Sequence, residues 1–194
     1  MGIKKVVFLD RDGVINRDSP DYIKSWDEFE FFPGSLEAIG LLTRAGFDII
    51  VITNQSVVNR KMVSVKELEY IFDRMTREVN AAGGRIKDIF FCPHVPQDQC
   101  DCRKPRPGLF YQAQQRYGLN LSGAYMVGDS AKDIESALRA GCGHALLVKT
   151  GNGAQAESIL AQKNILPRRV VEDLYAAARW IVAHDEKHIF PDHP

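Results

Sequence analysis

Five short, mostly apolar runs recur along this chain, and segments with helical spacing separate them. The runs cover residues 6–9, 47–52, 86–91, 124–127 and 144–148. Near-continuous apolar runs are typical of parallel strands that helices cover on both faces. Strands that alternate with helices favour a doubly wound α/β fold with right-handed crossovers. We therefore predict a Rossmann-like parallel sheet of about five core strands in the order 3-2-1-4-5.

Cap residues and glycines mark the helices between these runs. Ser64 is followed three residues later by Glu67, which is the pattern of a capping box. Helices are predicted over residues 35–44 and 64–80, and three more begin at Pro107, Ser130 and Glu172. With 194 residues, the chain is long enough for one full core without disulfides. We predict a single domain over residues 1–188 and a short tail over residues 189–194.

Charge balance and the lack of long apolar stretches exclude several classes of protein. The 25 Lys and Arg residues balance 25 Asp and Glu residues, so no net positive field would attract nucleic acid or an anionic membrane. No apolar run approaches the roughly 20 residues that span a bilayer, and none has the length of a signal-peptide core. We expect a cytoplasmic monomer that binds a small molecule and neither nucleic acid nor a membrane.

The first strand ends in two aspartates, which are the strongest chemical signal in the sequence. Residues 6–13 read Val-Val-Phe-Leu-Asp-Arg-Asp-Gly. Because side chains alternate along a strand, Asp10 and Asp12 point to the same side at its carboxyl end, where open α/β sheets bind ligands. Two crowded carboxylates need a metal ion or a shared proton. The alternative is a polar turn without chemistry, since Asp and Gly are common in turns.

Polar residues lie near the ends of other strands as well. Thr53 follows the second strand, Lys104 precedes the third helix, and Asp129 and Asp133 follow the fourth strand. Parallel strands end at one edge of a sheet, so these side chains would meet in one crevice. Carboxylates, a hydroxyl and a lysine suit a phosphoryl group bound with Mg²⁺, which prefers carboxylate, water and phosphate oxygens.

The two aspartates of the first strand have different predicted roles. Asp10 is the predicted nucleophile, because an ordinary carboxyl pKa of about 3.9 leaves it ionised at neutral pH. Asp12 is expected to give a proton to the leaving alkoxide and then to take one from water. Attack of a carboxylate on a phosphate joins two anions, so Mg²⁺ and Lys104 are needed to neutralise the charge.

These strand-end residues resemble the four motifs of the haloacid dehalogenase-like phosphatases over roughly residues 4–150. The resemblance implies a magnesium-dependent phosphomonoesterase in which Thr53 and Lys104 bind the phosphoryl group. It implies Asp10, Asp12 and Asp129 as the Mg²⁺ ligands, with Asp12 contributing its backbone carbonyl. Asp133 is then expected to lie next to these ligands without binding Mg²⁺ itself.

Three of the four cysteines crowd together with a histidine. Cys92, His94, Cys100 and Cys102 supply four ligands within eleven residues, which is enough for a closed tetrahedral zinc site. The cluster ends just before Lys104, so a structural zinc ion would fix the zinc loop, residues 92–104, and direct that lysine into the phosphate pocket. The alternative is a redox switch, which predicts no bound zinc.

The segments between the motifs are too short for a separate cap domain. We therefore expect an open site, covered only by residues 16–26, residues 56–62 and the zinc loop. A capless chain with Cys-Pro-His, Cys-Asp-Cys-Arg-Lys-Pro and Thr-Asn-Gln-Ser is similar to the phosphatases of D-glycero-D-manno-heptose 1,7-bisphosphate and to the related histidinol-phosphate phosphatases. The similarity implies removal of the heptose C7 phosphate, a step towards lipopolysaccharide. Its implied substrate contacts are Asp18, Asn54, Gln55, Ser56 and Arg103, with Arg103 on the far phosphate.

Two positions depart from this pattern. Val57-Val58-Asn59 follows Ser56 where a glycine-containing loop is expected, and Ser130 follows Asp129 where some members carry lysine. These changes spare the predicted chemistry and affect the choice of substrate. Histidinol phosphate and other small sugar phosphates stay open as substrates, and a non-catalytic, zinc-stabilised binding module is the alternative from another class.

Overall fold

Each of the five apolar runs forms a strand, and helices connect them in the predicted alternation. A computed structural model describes residues 5–189 of the chain. The elements are β1 (Val6–Leu9), α1 (Ser35–Arg44), β2 (Asp48–Asn54), α2 (Val65–Ala81), β3 (Ile86–Cys92), α3 (Gly108–Tyr117), β4 (Tyr125–Gly128), α4 (Ala131–Ala140), β5 (His144–Val148), α5 (Gly153–Gln162), β6 (Arg169–Val171) and α6 (Leu174–Ile189).

All strands of the sheet are parallel, in the order β3-β2-β1-β4-β5-β6. The predicted order 3-2-1-4-5 is confirmed, and β6 extends the sheet at the edge beside β5. Leu9 pairs with Val51 of β2 and Val127 of β4. The central strand β1 ends at Leu9, whereas β2 continues to Asn54 and β4 to Gly128, so the residues that follow β1 lie beside the ends of both neighbours in one crevice.

Alternate residues of the central strand supply the two halves of the core. Val7 and Leu9 face one apolar layer, which α1, α2 and α6 cover, whereas Val6 and Phe8 face the layer covered by α3, α4 and α5. All four side chains are at most 1% exposed. Burial on both faces explains why these strands are apolar runs rather than alternating ones.

Local signals placed most helix boundaries within a few residues. The capping box predicted at Ser64 and Glu67 is present at the start of α2. The last helix, predicted from Glu172, begins at Leu174. The predicted tail begins at Ile189, which is the last residue of α6, and residues 190–194 lie outside the described part of the chain. No helix within residues 5–189 has both the length and the apolar character needed to cross a bilayer.

Candidate active site

One open pocket at the carboxyl ends of the strands collects all eleven residues predicted for catalysis, substrate and magnesium. They are Asp10, Asp12, Asp18, Thr53, Asn54, Gln55, Ser56, Arg103, Lys104, Asp129 and Asp133. The pocket is also lined by Arg11, Tyr22, Lys132 and Asn152, to which the sequence analysis gave no role. Between Asp12 and Lys104, the described chain forms α1, β2, α2, β3 and two short 3-10 turns.

Lys104 lies at the bottom of this pocket, between two carboxylates. Its Nζ is 2.9 Å from Asp10 Oδ1 and 2.6 Å from Asp133 Oδ1, and it donates to the carbonyl of Ile52 at 2.9 Å. Only 2% of the Lys104 side chain is exposed. Burial opposes the charged form, but the two carboxylates outweigh it and raise the pKa of Lys104, so the ammonium stays charged.

Asp12 faces the same pocket, and four hydrogen bonds fix its carboxylate. Oδ1 accepts from Arg11 Nε at 2.9 Å, from Arg11 Nη2 at 2.5 Å and from Asn16 Nδ2 at 2.9 Å. Oδ2 accepts from Gln55 Nε2 at 2.8 Å. Arg11 is 1% exposed and packs against the ring of Phe72. Asp12 is therefore held in one orientation, as a proton-transfer group requires.

The residues at the carboxyl end of β2 contact one another and Lys104. Thr53 is 1% exposed, and its hydroxyl accepts from Gln55 Nε2 at 2.9 Å. Asn54 bonds both backbone groups of Lys104, with Nδ2 donating to the carbonyl at 3.2 Å and Oδ1 accepting from the amide at 3.1 Å. Asn54 and Gln55 were expected to contact the sugar. Their hydrogen bonds tie Lys104 and Asp12 to the end of β2, and both residues line the pocket together with Ser56.

Three carboxylates form a group that could hold a cation. Oxygens of Asp10, Asp129 and Asp133 all lie within 4.8 Å of one another. Clustered carboxylate oxygens at a strand end match the ligands that Mg²⁺ prefers, so the residues present fit this ion. Asp133, which is expected next to the ligands, lies within this group, where its Oδ1 contacts Lys104 Nζ, and the Asp12 carboxylate lies outside the group. Asp133 Oδ2 also accepts from the amide and hydroxyl of Ser130, at 3.0 and 2.7 Å.

The metal-free carboxylates hold protons unusually tightly. Burial, followed by the charge of Asp133, raises the pKa of Asp10 to about 7, although Lys104 acts in the opposite direction. Burial, followed by the charges of Asp133 and Asp10, raises the pKa of Asp129 to about 8. The ordinary pKa assumed for Asp10 from sequence is thus wrong for the metal-free chain, because burial was not visible. A cation among these carboxylates favours their charged forms.

The predicted zinc ligands converge as well. The Sγ atom of Cys92 lies 3.6 Å from that of Cys100 and 3.2 Å from that of Cys102, and the latter two are 3.4 Å apart. His94 Nδ1 is 3.5 Å from Cys92 Sγ and 3.3 Å from Cys102 Sγ. In a tetrahedral site with Zn–S bonds of about 2.3 Å, the sulfur atoms lie roughly 4 Å from one another. The four side chains therefore fit a zinc ion with little rearrangement.

Two arginine side chains bond backbone carbonyls of the zinc loop, and one of them also lines the pocket. Arg103 Nη1 donates to the carbonyl of His94 at 2.9 Å, and Arg103 lines the pocket as predicted. Arg106 bonds the carbonyls of Gln99 and Cys100. These contacts span the cysteine cluster and end next to Lys104. A bound zinc ion would thus stiffen the segment from which Lys104 enters the site.

Comparisons with known proteins agree with this geometry. Residues 101–177 match the HAD-hydrolase-like family model. The D-glycero-β-D-manno-heptose-1,7-bisphosphate 7-phosphatase of Bordetella bronchiseptica is 44% identical over 92% of this chain and 98% of its own length. The enzyme of the same name from Pseudomonas aeruginosa is 46% identical over 78% of this chain and 85% of its own.

A solved structure gives the same result. The D,D-heptose 1,7-bisphosphate phosphatase of B. bronchiseptica, complexed with magnesium and phosphate, superimposes with a TM-score of 0.87 at 43% identity, over 93% of this chain and 99% of that one. Sequence relatives and fold therefore agree with the carboxylate and lysine arrangement at the strand ends. The chain belongs to the haloacid dehalogenase-like hydrolases, in the group of heptose-bisphosphate phosphatases.

Proposed function

We propose that this protein is a magnesium-dependent phosphomonoesterase that removes the C7 phosphate of D-glycero-β-D-manno-heptose 1,7-bisphosphate. The observation that carries the proposal is Asp10, held by Lys104 beside two further carboxylates at the end of the central strand. Relatives that are 44% and 46% identical bear the name of this activity and of the β anomer. The product serves the formation of activated heptose, as the sequence resemblance implies.

In the first step, a carboxylate oxygen of Asp10 attacks the phosphorus atom of the C7 phosphate. The bond from phosphorus to the C7 oxygen breaks, and Asp12 gives its proton to the leaving alkoxide, which leaves Asp10 as an aspartyl phosphate. Lys104 and the hydroxyl of Thr53 lie at the pocket floor, where they can stabilise charge on the transferred group. Asp10, Asp129 and the backbone carbonyl of Asp12 would hold Mg²⁺, with Asp133 beside them, and the ion would supply further positive charge.

In the second step, water attacks the same phosphorus atom. Asp12 takes the proton from this water, the bond from phosphorus to the Asp10 oxygen breaks, and inorganic phosphate leaves. Both steps need Asp12 at a fixed place, which Arg11, Asn16 and Gln55 provide through their hydrogen bonds. The enzyme is thereby restored with Asp10 ionised and Asp12 protonated.

The far phosphate at C1 needs a separate cationic contact. Arg103 lines the pocket from the zinc loop, and the exposed Lys132 lines it from the first turn of α4. We propose that these two side chains bind the C1 phosphate, with Asp18 and Ser56 on the sugar hydroxyls. Some members of the family carry lysine at the position of Ser130. Ser130 caps α4 in this chain, and Lys132 supplies the positive charge in its place.

We propose that the cysteine cluster holds a structural Zn²⁺ and that the protein acts in the cytoplasm. Burial raises the pKa of the Cys92 thiol in the metal-free chain, so zinc binding would release protons. Four protein ligands leave no open position for substrate, which favours a structural role. Free thiols at Cys92, Cys100 and Cys102 suit a reducing compartment.

Phosphate release tests the function directly. Both anomers of D-glycero-D-manno-heptose 1,7-bisphosphate, fructose 1,6-bisphosphate and histidinol phosphate are compared with Mg²⁺ present. We expect the highest kcat/KM for the β-heptose bisphosphate, and loss of turnover in Asp10→Asn. A preference for histidinol phosphate would overturn the substrate but keep the chemistry. No release from any phosphoester would instead support the non-catalytic binding module.

A further inference from the structure

The loop between β5 and α5 touches two parts of the site although no function has been assigned to it. The hydroxyl of Thr150 donates to the carbonyl of Gly13 at 2.6 Å. Gly151 has φ +57°, and a Cβ atom there would lie 2.2 Å from Asp129 Oδ2 and 2.6 Å from Gly13 Cα. The loop therefore packs directly on the Asp129 carboxylate, and only glycine allows that approach.

Asn152, the next residue of this loop, binds one oxygen of Asp129. Its backbone amide donates to Asp129 Oδ2 at 2.8 Å and its side-chain amide donates to the same oxygen at 3.2 Å. Among residues 5–189, no hydrogen-bond donor reaches Asp129 Oδ1. Both bonds from Asn152 thus go to one oxygen, Oδ2, of a carboxylate that belongs to the cluster with Asp10 and Asp133.

The same side-chain amide also reaches the segment that covers the pocket. Asn152 Nδ2 lies 3.3 Å from Asp18 Oδ2. Asp18 belongs to residues 16–26 and lines the pocket together with Tyr22. One amide therefore joins a candidate metal ligand on the sheet to a candidate substrate contact on the covering segment. Asn152 does not use this amide to cap α5, whose first residue is Gly153.

We propose that Asn152 is a positioning residue, which holds Asp129 by Oδ2 so that Oδ1 faces the Mg²⁺ and which links that ligand to Asp18 over the substrate. The proposal rests on the proposed magnesium-dependent function. Residues that bind the free oxygen of a ligating carboxylate fix its direction, and their loss typically weakens metal binding about 10–100-fold. Because the backbone amide of Asn152 stays in a side-chain variant, we expect an effect near the lower limit.

Calorimetric titration of the metal-free protein with Mg²⁺ alone tests the first half. In Asn152→Ala we expect the Mg²⁺ dissociation constant to rise about tenfold. Gln155→Ala is the matched control, because Gln155 is an exposed amide in the first turn of α5, three residues after Asn152. Unchanged Mg²⁺ affinity in Asn152→Ala would overturn the proposal. The experiment needs no substrate, so its outcome is separate from whether the heptose bisphosphate is hydrolysed.

A double-mutant cycle with Asp18→Ala tests the link to the covering segment. We expect each single variant to raise KM for the bisphosphate, measured at saturating Mg²⁺. We also expect Asn152→Ala to add little on the Asp18→Ala background, because the two side chains share one contact. Fully additive effects on KM would contradict the link. Equal losses of kcat and of thermal stability, with KM and Mg²⁺ affinity unchanged, would show a merely structural role and overturn the whole proposal.

Discussion

Individual side chains in this site hold one another, and Gln55 is the clearest case. The sequence resemblance implies that Gln55 contacts the sugar, but only 2% of this residue is exposed. Its Nε2 donates to Asp12 Oδ2 and to Thr53 Oγ1, at 2.8 and 2.9 Å. A side chain with these bonds acts on the catalytic groups. Its main effect is therefore expected on the chemical step.

Gln55→Ala separates the two interpretations. We expect kcat to fall about tenfold, in line with the loss of one hydrogen bond of about 1–1.5 kcal/mol that orients Asp12, while KM changes less than about twofold. Steady-state kinetics with the β-heptose bisphosphate gives both constants. Gln112→Ala, an exposed glutamine on α3, serves as the control. A large rise in KM with kcat unchanged would restore the sugar-contact interpretation.

At this scale, the sequence predicted the residues with charge or metal affinity and missed those that position them. Asp10, Lys104 and Asp129 were found because strand ends meet at one edge. Arg11 lies between the two aspartates in sequence and had no predicted role. The turn after β1 brings its guanidinium onto Asp12. Such a contact depends on local loop geometry, which residue spacing does not reveal.

Among the secondary-structure elements, those with weak local signals were missed. The α5 segment follows Gly151, is rich in Ala and Gln, and has no side-chain cap. The strand β6 has only three residues, and its pairing with β5 at the sheet edge defines it. Missing both elements also hid Asn152, which lies in the loop before α5. The five core strands were predictable because burial on both faces leaves an apolar run.

The zinc loop carries Lys104, so the site depends on this loop being ordered. We expect Cys100→Ser to lower bound zinc well below one ion per chain. We also expect it to reduce kcat about tenfold or more, because zinc no longer holds the segment that places Lys104 in the pocket. Elemental analysis and kinetics are measured on the same preparation. Cys142 lies outside the cluster, so we expect the Cys142→Ala variant to bind zinc as the unmodified protein does. Absence of zinc from the unmodified protein would favour the redox switch.

In the molecule as a whole, buried carboxylates link folding, pH and magnesium. The folded metal-free chain holds Asp10 with a pKa of about 7 and Asp129 with a pKa of about 8, against ordinary values of about 3.9 in the unfolded chain. The folded state thus binds protons more tightly. This contribution to stability is complete below about pH 4 and is lost as the pH rises through about 7 to 8.

Magnesium is expected to reverse that loss, because its ligands must be deprotonated. The rise in unfolding temperature caused by Mg²⁺ should therefore be larger at about pH 8 than at about pH 6, which calorimetry can measure. Asp129→Asn keeps the shape of the side chain without its charge, and we expect a smaller rise with a weaker pH dependence. Equal rises at both pH values in the unmodified protein would contradict a magnesium site at these carboxylates.

The central claim is that Asp10 carries the phosphoryl group during turnover. Borohydride quenching of the protein during hydrolysis of the β-heptose bisphosphate reduces an aspartyl phosphate to homoserine, which peptide mass spectrometry locates. We expect homoserine at position 10 and unmodified aspartate at positions 12 and 129. Homoserine at another position, or none at any aspartate while phosphate is being released, would contradict the account.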